Sequence, residues 1–129
     1  MIVTWGKPEG MQYATFMSAL RSLLPPPPSG TPGPFALSDE HALCEFAVKA
    51  GLAPTEVVDV DSPFHYNDLA TALRGLTSSG NAIRTAELSS DDAVREAYTD
   101  ALEQFRKSDG SYRIGASFRC LFTRPRVKR

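Results

Sequence analysis

The stretch SYRIGASFRCLFTR, residues 111–124, decides the fold class. Tyr112, Ile114, Ala116, Phe118, Cys120 and Phe122 fall on one side of a two-residue alternation, with Ser111, Arg113, Gly115, Ser117 and Arg119 on the other. No other segment alternates for so long. The pattern predicts a strand near 111–123 with its aromatic and aliphatic set buried. The charges of Arg113 and Arg119 then face outward, suiting an antiparallel neighbour or an edge kept from aggregating.

Two further strands are expected. Ile2-Val3-Thr4-Trp5 is β-branched and aromatic, and Gly6, Pro8 and Gly10 cut it off. Thr55–Asp61 sets Val58 and Val60 against Asp59 and Asp61. Between the strands lie helical patterns. Residues 11–24 carry Phe16, Leu20, Leu23 and Leu24 at helical spacing and are stopped by Pro25-Pro26-Pro27-Pro28. Residues 25–34 form a Pro/Gly-rich loop. A second helix starts at an N-cap, Ser38, carries Leu43, Phe46, Ala47 and Ala50, and ends at Gly51. Asn67 or Asp68 caps a third, with Leu69, Leu73 and Leu76 on one face and Gly80 as its stop. Ser89 or Ser90 caps another through Lys107, with Val94, Tyr98, Ala101 and Phe105 in period. The expected fold is therefore α/β: one domain over 1–129, with a small mixed three-stranded sheet and four to five helices. Residues 124–129 are read as a basic tail.

Composition excludes several function classes. The chain has 129 residues, 14 Lys plus Arg against 15 Asp plus Glu, and no global pull toward nucleic acid or anionic lipid. No apolar run approaches the ~18 residues of a membrane span, and the first ten residues show neither the basic nor the apolar region of a secretory signal. Cys44 and Cys120 have no metal-ligand spacing and read as buried reduced thiols, which fits a cytoplasmic protein. Asp59 and Asp61 have no His partner, so no metal site is expected.

In combination, VTWGKPE, a helix ending LLPPPP, GPFALSD, AGLAPTEVVDVDSPFHYNDLATALRGLTSSG and DGSYRIGASFRCLFTR resemble the C-terminal half of class I S-adenosylmethionine-dependent methyltransferases of the small-molecule type. The resemblance implies a Rossmann-like sheet of seven strands. Ile2–Trp5 would be the fifth, Thr55–Asp61 the sixth, and 111–123 the seventh, running antiparallel between them. It also implies a glycine-rich cofactor loop after the first strand, and no G-x-G-x-G/A follows any strand of this chain. The resemblance thus covers the acceptor-substrate side alone, as a truncated chain or a stand-alone protein. S-adenosylmethionine is the family's cofactor, and none is expected to bind the isolated chain, which is then not catalytic alone. The rival class is a stand-alone small-molecule-binding or oligomerising module.

Ligands of open α/β sheets sit beyond the carboxyl ends of strands. Trp5 and Gly6 end the first strand, where Trp5 is either a pocket wall or plain core. Phe64, His65 and Tyr66 follow the second strand. They read as an acceptor-pocket rim with His65 as a candidate base, or as an aromatic lid over the core. No nucleophile elbow or Ser/His/Asp order is present. A homodimer through the exposed first-strand edge or apolar helix faces, and a small-molecule acceptor, are the expected partners, with no nucleic acid and no membrane.

Overall fold

A computed structural model describes residues 1–127. The chain, which reads as one domain, divides into two compact units. The first comprises residues 1–11, 30–62 and 115–127, and the second residues 12–29 and 63–114.

The first unit holds a three-stranded sheet. β1 (Ile2–Trp5) and β2 (Leu52–Asp61) flank β5 (Ser117–Pro125), and both pair with it antiparallel. β1 and β2 thus run parallel to each other without touching. The strand order β1-β5-β2 and the central, antiparallel last strand are those that the resemblance implies, while the alternation alone left the direction of the last strand open. The sheet is not mixed, however, because every hydrogen-bonded pair in it is antiparallel.

One helix, α2 (Glu40–Lys49), packs on this sheet, with Leu43 and Ala47 buried against Leu121 and joined by Ile2, Leu37, Leu52 and Val57. Ser38 is not its cap. Asp39 is, accepting a hydrogen bond from the Ala42 N–H at 2.9 Å. Gly51 follows the helix at φ +80°, the left-handed position that glycine takes without steric cost. β2 begins three residues before the expected Thr55, and a register shift between Pro54 and Glu56 accommodates the proline.

The predicted strand near 111–123 is broken. β4 (Tyr112–Ile114) pairs with β3 (Phe64–Tyr66) in a two-stranded ribbon of the second unit, and β5 begins only at Ser117. The break changes which side chains are buried. Tyr112 and Ile114 enter the second unit's core as expected. In β5 it is Arg119 and Leu121 that are buried, whereas Phe122 is 41% exposed and Phe118 and Cys120 are half-buried. β5 has a helix on one side only, and Leu121 takes that side. β5 also runs on to Pro125, so the expected tail at 124–129 begins as strand; Lys128 and Arg129 lie outside the described residues.

The second unit is helical: α1 (Ala14–Ala19), α3 (Leu69–Thr77), α4 (Gly80–Leu88) and α5 (Asp91–Leu102). Phe16, Leu20, Leu73, Leu76, Val94, Tyr98, Leu102, Tyr112 and Ile114 form its core. The expected helix at 11–24 is shorter because a 3-10 turn at Arg21–Leu23 replaces its last turn ahead of the prolines. Asp68 caps α3 and Ser90 caps α5. Gly80 does not stop a helix but opens α4, whose cap is Ser79. Among the described residues no helix is long and apolar enough to cross a membrane.

Candidate functional site

Three features of the first unit meet at the carboxyl end of β1. The first is a polar row across the sheet, in which Thr4, Arg119 and Asp59 stand side by side in register. Arg119 donates from Nε to Asp59 Oδ1 at 2.8 Å and from Nη2 to Oδ2 at 2.9 Å, a two-pronged pair. Its Nη1 donates to the Ser38 carbonyl at 2.7 Å. Ser38, buried, donates from Oγ to the Trp5 carbonyl at 2.9 Å. The end of β1, the start of α2 and both outer strands are thereby tied to one guanidinium. The bonds from Arg119 hold the Asp59 carboxyl below its ordinary range, and the same pair raises Arg119.

The outward placement expected of Arg119 is therefore corrected: it is 4% exposed and fully paired. The sequence signal was there. An Arg in the interior of one strand and an Asp in the interior of another, each at an alternating position, are what a cross-strand ion pair requires.

The second feature is the uncovered side of the sheet. Trp5, Phe118 and Val60 form one row there, and Val3, Cys120 and Val58 the next. The Trp5 and Phe118 rings stack at 5.1 Å and 25°. Val3 and Val60 are 49% and 45% exposed, because α2 lies on the opposite side. Gly6 is buried, and its N–H donates to the Ser117 carbonyl at 2.7 Å. A Cβ at Gly6 would collide with Ser117 Oγ and come within 3.0 Å of the Ser117 backbone. The turn after β1 is thus held tightly against the start of β5.

The third is an open cavity of about 590 Å³ lined by Lys7, Pro8, Glu9, Phe35, Ser38 and Asp39.

In the second unit Phe64 and Tyr66 point inward from β3. Phe64 stacks on Tyr13 at 4.9 Å, and Tyr66 lies parallel to Phe64 at 6.5 Å. Tyr66 also rests on α3 at Gly75, where a Cβ would meet its ring at 2.8 Å. His65 alternates with them, so it is exposed and stands opposite Arg113 across the ribbon. Phe64 and Tyr66 therefore fill an aromatic layer on the helical core, and His65 alone of the three is presented to solvent. A buried hydroxyl group underlies that layer. Tyr13 and Tyr98 both hydrogen-bond Ser79, and burial pushes the Tyr98 phenol up to about 12 against the pull of that bond. Trp5 and Gly6 belong to the first unit and Phe64, His65 and Tyr66 to the second.

No family model, curated protein or solved structure matches this chain. Among the described residues no group of three or more His, Cys, Asp or Glu is placed to hold a metal.

Proposed function

We propose that this chain is the acceptor-substrate side of a class I S-adenosylmethionine-dependent methyltransferase, and that it is not catalytic by itself. One observation carries the reading. The last strand lies antiparallel between two strands that are parallel to each other, and the two outer edges of that sheet are protected unequally. The free edge of β2 bears Pro54, Glu56 and Asp61, the charges and proline that keep an edge from pairing. β1 bears only Ile2, Val3, Thr4 and Trp5, with no charge and no proline. That inequality favours a sheet that ends at β2 and continues beyond β1. The donor-holding part of the resembled family lies on that side.

On this reading Trp5 and Gly6 border the reacting centre at the end of β1. Methyl transfer needs the sulfonium held in line with its acceptor. A glycine-rich loop does this holding in the family, and the sequence contains none. The free thiols Cys44 and Cys120 suit a reducing, cytoplasmic compartment.

The exposed β1 edge also favours a second reading, an oligomerising module in which another copy pairs with β1. A chimera separates the two readings. With the donor-holding half of a class I methyltransferase joined ahead of Ile2, the first reading predicts slow amide exchange along β1 in a monomer. The second predicts that the chimera still self-associates.

A further inference from the structure

We infer that the cavity between the β1 turn and the start of α2 binds a small zwitterion with an apolar body, an α-amino acid or a close relative, as the acceptor. The cavity, at about 590 Å³, falls within the usual range for small-molecule sites, and it opens beyond the carboxyl end of β1. Its charges are of both signs. Lys7 offers an ammonium for a carboxylate, and Glu9 offers a carboxylate for an ammonium. Neither side chain enters a hydrogen bond or ion pair among the described residues, and the charge of Lys7 acts only through space on Asp59. Asp39, whose Oδ2 caps α2, lines the same opening. Phe35, half-buried, supplies the apolar wall.

A singly charged ligand fits this set poorly. A plain amine meets Glu9 but is opposed by Lys7, and a plain acid meets Lys7 but is opposed by Glu9 and Asp39. A ligand carrying both charges on neighbouring atoms satisfies all three, and its side chain is left for Phe35. The walls are fixed from behind, since Ser38 is hydrogen-bonded to Trp5 and to Arg119. The inference rests on the acceptor-side reading for the ligand's role, not for its binding.

The test is amide chemical-shift titration of the full chain with L-phenylalanine, phenethylamine and N-acetyl-phenylalanine. Saturable shifts at Lys7, Glu9 and Ser38 are expected with L-phenylalanine, and at least tenfold weaker binding with each analogue. Glu9→Gln is expected to narrow the preference over N-acetyl-phenylalanine, with Asp39 still opposing a plain acid, and Lys7→Met to remove the preference over phenethylamine. Both positions are exposed, so neither variant threatens the fold. Equal binding of all three compounds, shifts confined to other residues, or no saturable shift with L-phenylalanine would overturn the inference. No methyl transfer is read, so such a failure leaves the exchange result at β1 to judge the methyltransferase reading.

Discussion

Arg119 on β5 and Asp59 on β2 face each other across the sheet through two hydrogen bonds of 2.8 and 2.9 Å, yet the two are unequally buried. The Arg119 side chain is 5% exposed and that of Asp59 is 54% exposed. The arginine depends on its partner for compensation, whereas the aspartate can turn to water.

That asymmetry sets the order of two substitutions. Asp59→Ala strands a buried guanidinium and is predicted to cost about 2 kcal/mol, less than a fully buried pair because water reaches the vacated side. Arg119→Met keeps an apolar stem in place and leaves Asp59 hydrated; it forfeits the bond to the Ser38 carbonyl, a loss of about 1 kcal/mol. Urea unfolding of the two variants checks the order. A larger loss for Arg119→Met contradicts it.

Acid should weaken the fold through the same pair. The Asp59 carboxyl is held below its ordinary range in the folded chain, so below about pH 4 the unfolded chain takes up the proton first. Stability is full above that pH and falls as pH drops through the folded value. Asp68 and Asp109, each hydrogen-bonded by nearby backbone and side-chain groups, act in the same direction. Asp59→Asn is predicted to flatten this decline between pH 5 and pH 3 in thermal melts; an unchanged slope would count against the pair.

At high pH the sign reverses. The Tyr98 phenol titrates at about 12 when folded and near 10 when unfolded, so its contribution is intact below about pH 10 and is lost as pH rises toward 12. Tyr13 and Tyr66 are raised by burial as well. The helical unit is predicted to unfold in alkali over that window, followed by tyrosinate absorbance. Tyr98→Phe should make its melting less pH-dependent there. An unaltered alkaline profile would be the contrary result.

Glycine substitutions should run against helix propensity. In an open helix, Gly→Ala gains about 1 kcal/mol. Gly75 lies inside α3, but a Cβ there comes to 2.8 Å from the Tyr66 ring. Gly75→Ala is predicted to destabilise by about 1 kcal/mol instead, and Gly75→Ala with Tyr66→Leu to recover the loss. A stabilised single variant would show that the ring moves freely.

The three strands were legible because each carries its own local signal, β-branched density in Ile2–Trp5 and alternation in β2 and β5, whereas their order came from the family resemblance alone. Burial within β5 was not. Alternation fixes two sides but not which side a helix covers, and the break at Gly115–Ala116 lets consecutive alternating segments serve different sheets. α4 was hidden because Gly80 resembles a helix stop, while the deciding group is the Ser79 hydroxyl before it. Phe64 and Tyr66 were legible as an aromatic pair. The stacking of Phe64 on Tyr13, 51 residues before it, needs the tertiary fold.

The β1 edge, without charge or proline, should act in solution. The isolated chain is predicted to self-associate through Ile2–Trp5 at high concentration, and Val3→Lys, a charge placed on that edge, to shift it to monomer. Sedimentation velocity decides; a chain that stays monomeric throughout weakens the argument from the edge.

The most direct test of the acceptor-side account is hydrogen exchange of the β1 amides in the chimera with a class I donor-holding half, run beside calorimetric titration of S-adenosylhomocysteine into chimera and chain. The account predicts protected β1 amides and micromolar binding in the chimera, with no binding by the chain alone. A chain that binds the cofactor product unaided, or a folded chimera whose β1 amides exchange as fast as before, contradicts it.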